Sequence, residues 1–283
     1  MSILPALLNG FVWGWITALV ALGLNLIYGI LGIVNVAHGT FYMLGAVFAL
    51  ILQPYLGFGG AIVCAVLLVA LIGVLSERIV LRPLHEQPVM TILATFGILL
   101  AFEQTVALTF GLSSRSMADP LGTQFHMGST TYPSYRLLVA LCAVISIAGL
   151  EFFLKRTRWG SWIRAVSQHR ELAAVQGVPA PLVYSLTFAL GTGLAALAGG
   201  LTAPIIGVHY LMGVDIVILA FVVVIVGGVG NLWGSVVVAI GAAGVENLLT
   251  LATRPTAARM ITFLILALLL VLRPNGIFER RKS

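Results

Sequence analysis

The stretch YGILGIVNVAHGTFYMLG (residues 28–45) decides how the chain is read, because it interrupts one of the most apolar regions of the sequence. A plain membrane-spanning helix has little use for Asn35, His38 and Thr40, and still less for Gly29, Gly32, Gly39 and Gly45. Each glycine weakens a helix by roughly 1 kcal/mol relative to alanine. The pattern predicts that a first helix is released at Gly29 and Gly32, and that Asn35 caps the next through its side-chain oxygen. His38 and Thr40 then fall on the first turn of that second helix, with Gly39 admitting a close neighbour. Backbone freed from helix geometry is tolerated at membrane depth only where protein buries it or a cavity wets it. Residues 29–40 are therefore read as a helix break in the core, facing either buried protein or a wetted cavity. The competing reading is a structural joint in which His38 satisfies exposed carbonyls.

The rest of the chain supplies the hydrocarbon context. Of its 283 residues 60% are hydrophobic and 8% charged, and the mean hydropathy is +1.10. Soluble domains carry about 25% charged residues, so a water-exposed surface could not be covered, and the long apolar runs specify spanning helices. The formal charge of +6 is scattered through short loops and does not point to nucleic acid. Cys64 and Cys142 sit in apolar runs without metal or disulfide spacing. MSILPALLNG lacks a basic n-region and a cleavage site, and reads as the start of a span.

Apolar segments run at about 3–28, 36–56, 60–81, 89–111, 135–154, 182–206, 214–230, 234–252 and 257–272. The expected fold is all-α: one polytopic membrane helical bundle over residues 1–283, with eight or nine spans and broken helices. The short pair around Asn231 and the opening stretch are the segments open to a re-entrant reading. Placing RPLHEQP (82–88), the loop 155–181 and the tail on one side collects eleven of the fifteen basic residues there. These are Arg78, Arg82, Lys155, Arg156, Arg158, Arg164, Arg170, Arg273, Arg280, Arg281 and Lys282; Arg115, Arg136, Arg254 and Arg259 fall on the other side. The positive-inside rule makes the first side cytoplasmic, with the C-terminus inside, and the N-terminus outside if all nine segments cross. LSSRSMADPLGTQFHMGSTTYPS (112–134) is then an outer loop. Small residues recur every four positions (Gly10, Gly14, Ala18; Ala195, Gly199, Ala203; Ser235, Ala239, Ala243), which predicts close helix packing. GGVGNLWG (227–234) echoes the first break and raises the possibility of a pseudo-symmetric transporter.

Glu103 lies inside the 89–111 span, where a charge costs about 2.5–3.5 kcal/mol on insertion scales. It either faces a water-filled path or is protonated and bonded to a neighbouring helix. Glu151 is within reach of Lys155 at i+4, Asp215 reads as a helix-start residue, and Glu246 lies toward the outer end of its span. Nucleotide-binding loops, paired metal-spaced histidines and a nucleophile elbow are missing, and GLSS (111–114) has no evident base. KRTRWGSWIRAVSQHRELAAVQGVPAPL (155–182) reads as a loop with a short amphipathic helix. Trp162, Ala165, Val166, Ala173 and Ala174 are its apolar positions, Arg164, Gln168, Arg170 and Glu171 its polar ones, and Gly177 and Pro179 stop it. It suits either an interfacial helix on anionic headgroups or a docking helix for a cytosolic partner.

Five ordered motifs resemble the permease subunits of branched-chain amino acid ABC importers, in their shorter form. They are GLNLIYGILGIVNVAHGTFYMLGA (23–46), ERIVLRPL (77–84), RAVSQHRELAAVQGV (164–178), GGVGNLWGSVVVAIGAAGVENL (227–248) and LRPNGIF (272–278). The resemblance implies a non-enzymatic transport subunit of the bacterial inner membrane. It would be paired with a paralogous permease in a heterodimer, two cytosolic ATPases and a periplasmic binding protein. No cofactor would be bound by this chain; ATP and Mg would be held by the ATPases. Glu171, Ala173, Ala174 and Gly177 are similar to the family's coupling motif, with Glu-Leu-Ala-Ala standing for Glu-Ala-Ala, and Arg164 and Arg170 would anchor the contact. The implied cargo is branched-chain or other hydrophobic amino acids, or related urea, amides and carboxylates. Asn35, His38, Thr40 and Glu103 are the candidate path residues. The alternatives are a self-contained secondary transporter or channel with Glu103 as ion or proton relay, and an intramembrane enzyme using His38.

Overall fold

The computed structural model describes residues 3–127, 130–274 and 276–278. Arg280, Arg281 and Lys282 of the basic set, and Asn275 of the last motif, lie outside the described residues. Ten α-helices occupy most of the described chain: α1 (Ile3–Leu31), α2 (His38–Ser76), α3 (Pro88–Phe110), α4 (Ser134–Arg156), α5 (Arg158–Gln168), α6 (Arg170–Val175), α7 (Ala180–Ile206), α8 (Met212–Gly227), α9 (Leu232–Leu249) and α10 (Pro255–Leu272). Seven are long and apolar enough to cross a membrane, and α8 is an eighth, shorter apolar helix. The chain is a multi-pass helical bundle.

Helix α2 holds two of the expected segments. A straight 39-residue helix would be about 58 Å long, twice the roughly 30 Å of bilayer hydrocarbon. Gly57 (φ 66°, ψ 173°) breaks it, three residues after Pro54. The two arms, 38–56 and 58–76, both pack on α7. The first sets Tyr42 against Gly199 and Gly45 against Ala196; the second runs antiparallel to α7, with Ile62 at Gly200, Gly73 at Thr192 and Glu77 at Ser185. Helix α2 then winds into a π turn at Glu77–Leu81 and a 3₁₀ turn at Arg82–Leu84.

Helix α1 is the central element, with a continuous buried run from Ile16 to Ile27. It lies antiparallel to α9: Gly10 meets Gly244, Gly14 meets Ile240, and Asn25 bonds to Asn231. The small-residue faces read from the sequence are these contacts, where missing side chains let backbones approach. Helix α3 is peripheral. Thr91, Thr95, Leu99, Glu103 and Val106 form its one buried face, while Leu93, Phe96, Leu100 and Leu108 point outward.

The ends of the bundle differ. At one, β1 (Gln124–Met127) pairs antiparallel with β2 (Thr130–Pro133) in a hairpin, within a segment expected to be an irregular loop. Phe125 and Tyr132 lie opposite one another across the pair, and aromatic residues favour extended backbone. Tyr132 donates to Asn9 (2.8 Å) and Tyr135 to the Leu201 carbonyl (2.7 Å), which ties this end to α1 and α7. The other, basic end carries α5, α6 and the π turn. There the single amphipathic helix expected in 155–182 is two helices. His169 adopts an extended conformation (φ −149°, ψ 98°) that ends α5, and Thr157 caps α5 by accepting from the Gly160 amide.

Candidate functional site

The break in residues 28–45 has a definite shape. Gly29 stays helical and abuts Gly230, while Gly32 (φ 67°) ends α1. Residues 32–37 then run back alongside α1, so that His38 Nε2 lies 3.1 Å from the Val20 carbonyl. From Leu31 to Val20 is a return of roughly 16 Å at 1.5 Å per helical residue, into the buried middle of the bundle. Helix α2 starts there. Gly39 lies against the Gly213 backbone at the first turn of α8, where a Cβ would collide.

Asn35 does not cap α2. The N-cap is Ala37, and Asn35 contributes its backbone carbonyl, which accepts from the His38 amide at 3.1 Å. The helix begins two residues later than the motif suggested, so the Asn35 side chain is out of reach of the first-turn amides. Both of its polar atoms, His38 Nδ1 and Thr40 Oγ1 are buried without a hydrogen-bond partner among the described residues. The Glu103 side chain is buried as well, with Oε1 unpartnered.

A cleft of about 400 Å³ opens at the hairpin end, where α1, α2, α8, α9 and α10 converge. None of Asn35, His38, Thr40 or Glu103 lines it. The break contributes Tyr42, one turn beyond His38, which with Thr17 forms the buried base. The Tyr42 hydroxyl is fixed by Thr202 Oγ1 at 2.6 Å. Trp13, Met212, Ile216 and Phe263 give apolar walls. At the mouth His209 Nε2 lies 3.6 Å from Asp215, and Arg259 Nε pairs with Glu246 (3.3 Å). Asp215 does sit in the first turn of α8, but it also faces this cleft. The sequence reading missed this grouping because its members are spread over some 250 positions; isolated acids near span ends were the only signal.

The basic end is locked by the ERIVLRPL motif. Arg82 forms a two-pronged pair with the buried Glu77 (2.9 and 2.8 Å) and also reaches Ser185 and the Pro181 carbonyl. Ser185 in turn donates to Glu77 at 2.8 Å, so α2 and α7 are clamped together. Arg170 lies 5.5 Å from the Tyr184 ring, which also stacks with His85 at 5.2 Å. Burial, and then the Arg170 charge, holds His85 below its ordinary value of 6.5. Helix α6 thus hangs from α7, with Ala173 buried and Gly177 (φ 82°) closing its end. Glu171, Leu172, Ala174 and Val175 are exposed. Arg164 is on α5, at the mouth of a separate cavity of about 230 Å³ beside Lys155, Glu151 and Trp233. Glu151 pairs with Lys155 as expected, and also accepts from Trp233 at 3.0 Å.

The second break is a hub. Asn25 Nδ2 donates to the Asn231 carbonyl (3.0 Å) and Ser235 Oγ (2.8 Å), and its Oδ1 accepts from the Gly230 amide (2.7 Å). Asn231 caps α9 through Gly234 N (3.0 Å) and donates to the Phe278 carbonyl (2.7 Å). The Ile277 amide bonds to the Val226 carbonyl (2.8 Å). Three of the sequence motifs therefore meet at one place, though Asn25 went unremarked in the sequence.

Comparison with known proteins gives the family. A family model described as branched-chain amino acid transport system / permease component matches residues 6–272. The high-affinity branched-chain amino acid transport system permease protein LivH of Salmonella typhimurium is 26% identical, over 98% of this chain and 96% of its own length. BraD of Pseudomonas aeruginosa, another such permease protein, is 26% identical over the same shares. A probable branched-chain amino acid transport permease protein LivH of Methanocaldococcus jannaschii is 23% identical over 81% of this chain and 75% of its own. No solved structure matches. With nearly its whole length matched, the chain belongs to the family of branched-chain amino acid transport system permease components.

Proposed function

We propose that this chain is the transmembrane subunit of an ATP-driven, binding-protein-dependent importer in the bacterial inner membrane. It moves branched-chain or other hydrophobic amino acids, with related small solutes as the wider range. The basic end faces the cytoplasm, by the excess of Lys and Arg there, and the hairpin end receives solute from a periplasmic binding protein. The chain pairs with a paralogous permease and has no catalytic step of its own; two partner ATPases bind ATP and Mg.

The observation that carries the reading is the separation of two sites on one helix system. A solute-sized cleft lies at the hairpin end. At the opposite end α6 offers Leu172 and Val175, 61% and 86% exposed, beside Glu171. A short helix with apolar knobs and a flanking acid suits a cleft on an ATPase, and α7 joins it rigidly to the spans through Arg170 and Tyr184. The test is ATPase activity of the assembled complex in proteoliposomes, with and without loaded binding protein. Glu171→Arg is expected to lower the stimulated rate at least about ten-fold, the effect of losing roughly 1.4 kcal/mol of coupling; unchanged stimulation and uptake would count against the proposal.

A second reading rests on Glu103, whose buried, unpartnered carboxylate oxygen suits a proton or ion relay. It is favoured if the purified chain alone moves solute without an ATPase, and if Glu103→Gln abolishes that flux.

A further inference from the structure

We infer that the cavity between α1, α4, α5 and α9 at the basic end seats the phosphate of an anionic phospholipid. Arg164 is its anchor, and the lipid chains lie along the groove between α4 and α9. Such a seat requires only that the basic end meets a headgroup layer, so it stands apart from the importer reading. It also gives the two helices of 155–182 different partners: α5 takes a lipid, while the proposed ATPase contact falls on α6.

The depth of the cavity follows from the helices that end at it. Helix α4 has 23 residues and is about 34 Å long, enough to cross the roughly 30 Å of hydrocarbon, and it finishes at Lys155 and Arg156. Helix α9 begins beside that end with Leu232 and Trp233. Indole rings favour the headgroup level. Trp159 and Trp233 are exposed here, and Trp159 meets Trp162 edge to face at 5.0 Å. Helix α5 buries Gly160, Ile163 and Val166 and leaves Arg158, Arg164 and Gln168 exposed, the two-sided pattern of a helix lying in an interface.

Charge and shape together select the ligand. Residues 151–168 carry four cations, Lys155, Arg156, Arg158 and Arg164, and one acid, Glu151. Glu151 is already engaged by Lys155 and by Trp233 Nε1 (3.0 Å). Among the described residues Arg164 pairs with no acid, and its guanidinium reaches only Ser161 Oγ, at 3.4 Å. Its planar fork stays available to two oxygens of one phosphate. At about 230 Å³ the cavity is smaller than the roughly 300–1,000 Å³ of sites that enclose a whole small molecule, which suits a ligand of which only the head is enclosed. The chains have their own place. Glu151, Leu232 and Trp233 also border a narrow groove over Leu22, Ile147, Leu150 and Val236. Ile147 is eight residues before Lys155, roughly 12 Å deeper along α4, and below Glu151 the groove is apolar. A soluble anion has no use for that groove, and an acyl chain fills it. A zwitterionic lipid brings its ammonium to the same four cations, like charge against like. An anionic headgroup in a basic pocket between spans meets no such penalty.

The test titrates the purified full chain in detergent with phosphatidylglycerol and with phosphatidylcholine of identical chains, read by native mass spectrometry, with glycerol phosphate as competitor. Phosphatidylglycerol is expected to bind at least about ten-fold more tightly than phosphatidylcholine, and glycerol phosphate not to displace it. Arg164→Gln should weaken phosphatidylglycerol by about five-fold, the factor that roughly 1 kcal/mol per basic residue near a lipid surface amounts to. Arg164→Lys should fall between the two, because it keeps the charge and loses the fork. Arg254→Gln, the same charge change at the hairpin end, should leave binding unchanged. Thermal unfolding gives a second readout: phosphatidylglycerol should raise the unfolding temperature of the wild type more than that of Arg164→Gln, while the two unfold alike without lipid because Arg164 is exposed. Equal binding of the two lipids, or equal losses in Arg164→Gln and Arg254→Gln, overturns the seat in favour of diffuse attraction. Displacement by glycerol phosphate assigns the cavity to a soluble anion and overturns the lipid. Unchanged phosphatidylglycerol binding in Arg164→Gln overturns the anchor, and weaker association of the ATPase subunits in that variant would then place Arg164 in the protein contact.

Discussion

His38 is fully buried in this structure. Its ring fills the space beside Gly23, where a Cβ would lie 3.1 Å away, and Nε2 meets the Val20 carbonyl. His38→Ala removes that packing and that contact, a loss on the order of 2 kcal/mol. It is expected as a lower unfolding temperature in detergent, with the KM for uptake unchanged because no cleft residue is touched. Asn35 gives the sharper experiment. Its amide has no partner to lose, and replacing such a group by an apolar side chain of similar shape is close to neutral. Asn35→Leu should therefore keep wild-type thermal stability. If uptake nevertheless falls, the Asn35 amide acts on the path; if uptake is kept, it does not. The motif's residue types were legible as a break, but whether each side chain met solvent, ligand or a neighbouring carbonyl depended on partners about 20 positions away or more.

Elements in this bundle approach as closely as their glycines allow. A side chain at Gly45 would run into the Ala196 backbone of α7, whereas one at Gly97 meets nothing within 4 Å. Gly45→Val is expected to abolish stable folding, and Gly97→Ala to be neutral or to stabilise by up to about 1 kcal/mol, both read from thermal unfolding of the purified chain. Helix α6 is an element held by a few groups, and one of them titrates. Burial and Arg170 keep His85 below 6.5, so the unfolded chain binds the proton more readily than the folded one. That contribution to stability is complete above pH 6.5 and is lost as the pH falls below it. Thermal stability should decline below pH 6.5, with a shallower slope in His85→Gln. The π turn, the hairpin and the division of 155–182 at His169 were not legible from periodicity. Segments this short are set by what they pack against.

On the scale of the whole molecule, the Glu77–Arg82 pair joins the two-armed α2 to α7 at the basic end. Glu77 is 1% exposed, and removing its partner would leave a buried charge, at a cost of roughly 3–5 kcal/mol. Arg82→Gln should lower the unfolding temperature more than His38→Ala does. It should also weaken the dependence of ATPase rate on loaded binding protein, since α7 and α6 lose their anchor on α2. The double variant Glu77→Gln, Arg82→Gln should recover part of the stability and little of the coupling, which separates the two roles.

The sequence by itself determined that the chain is a helical membrane bundle, where its spans run, which end is basic and which family it joins. Each follows from local quantities: hydrophobic length against bilayer thickness, loop charge, and ordered motifs. It also placed the break at 28–45, since Gly32 and the polar run are local signals. Only the tertiary structure decided that this break returns the chain beside Val20, that Asn25 ties three motifs together, and that Tyr42 rather than His38 reaches the cleft. Trp13, Asp215, Glu246 and Arg259 become neighbours only when α1, α8, α9 and α10 converge at the hairpin end. Helical packing brings together groups far apart in the chain, and no spacing rule in one dimension encodes that convergence.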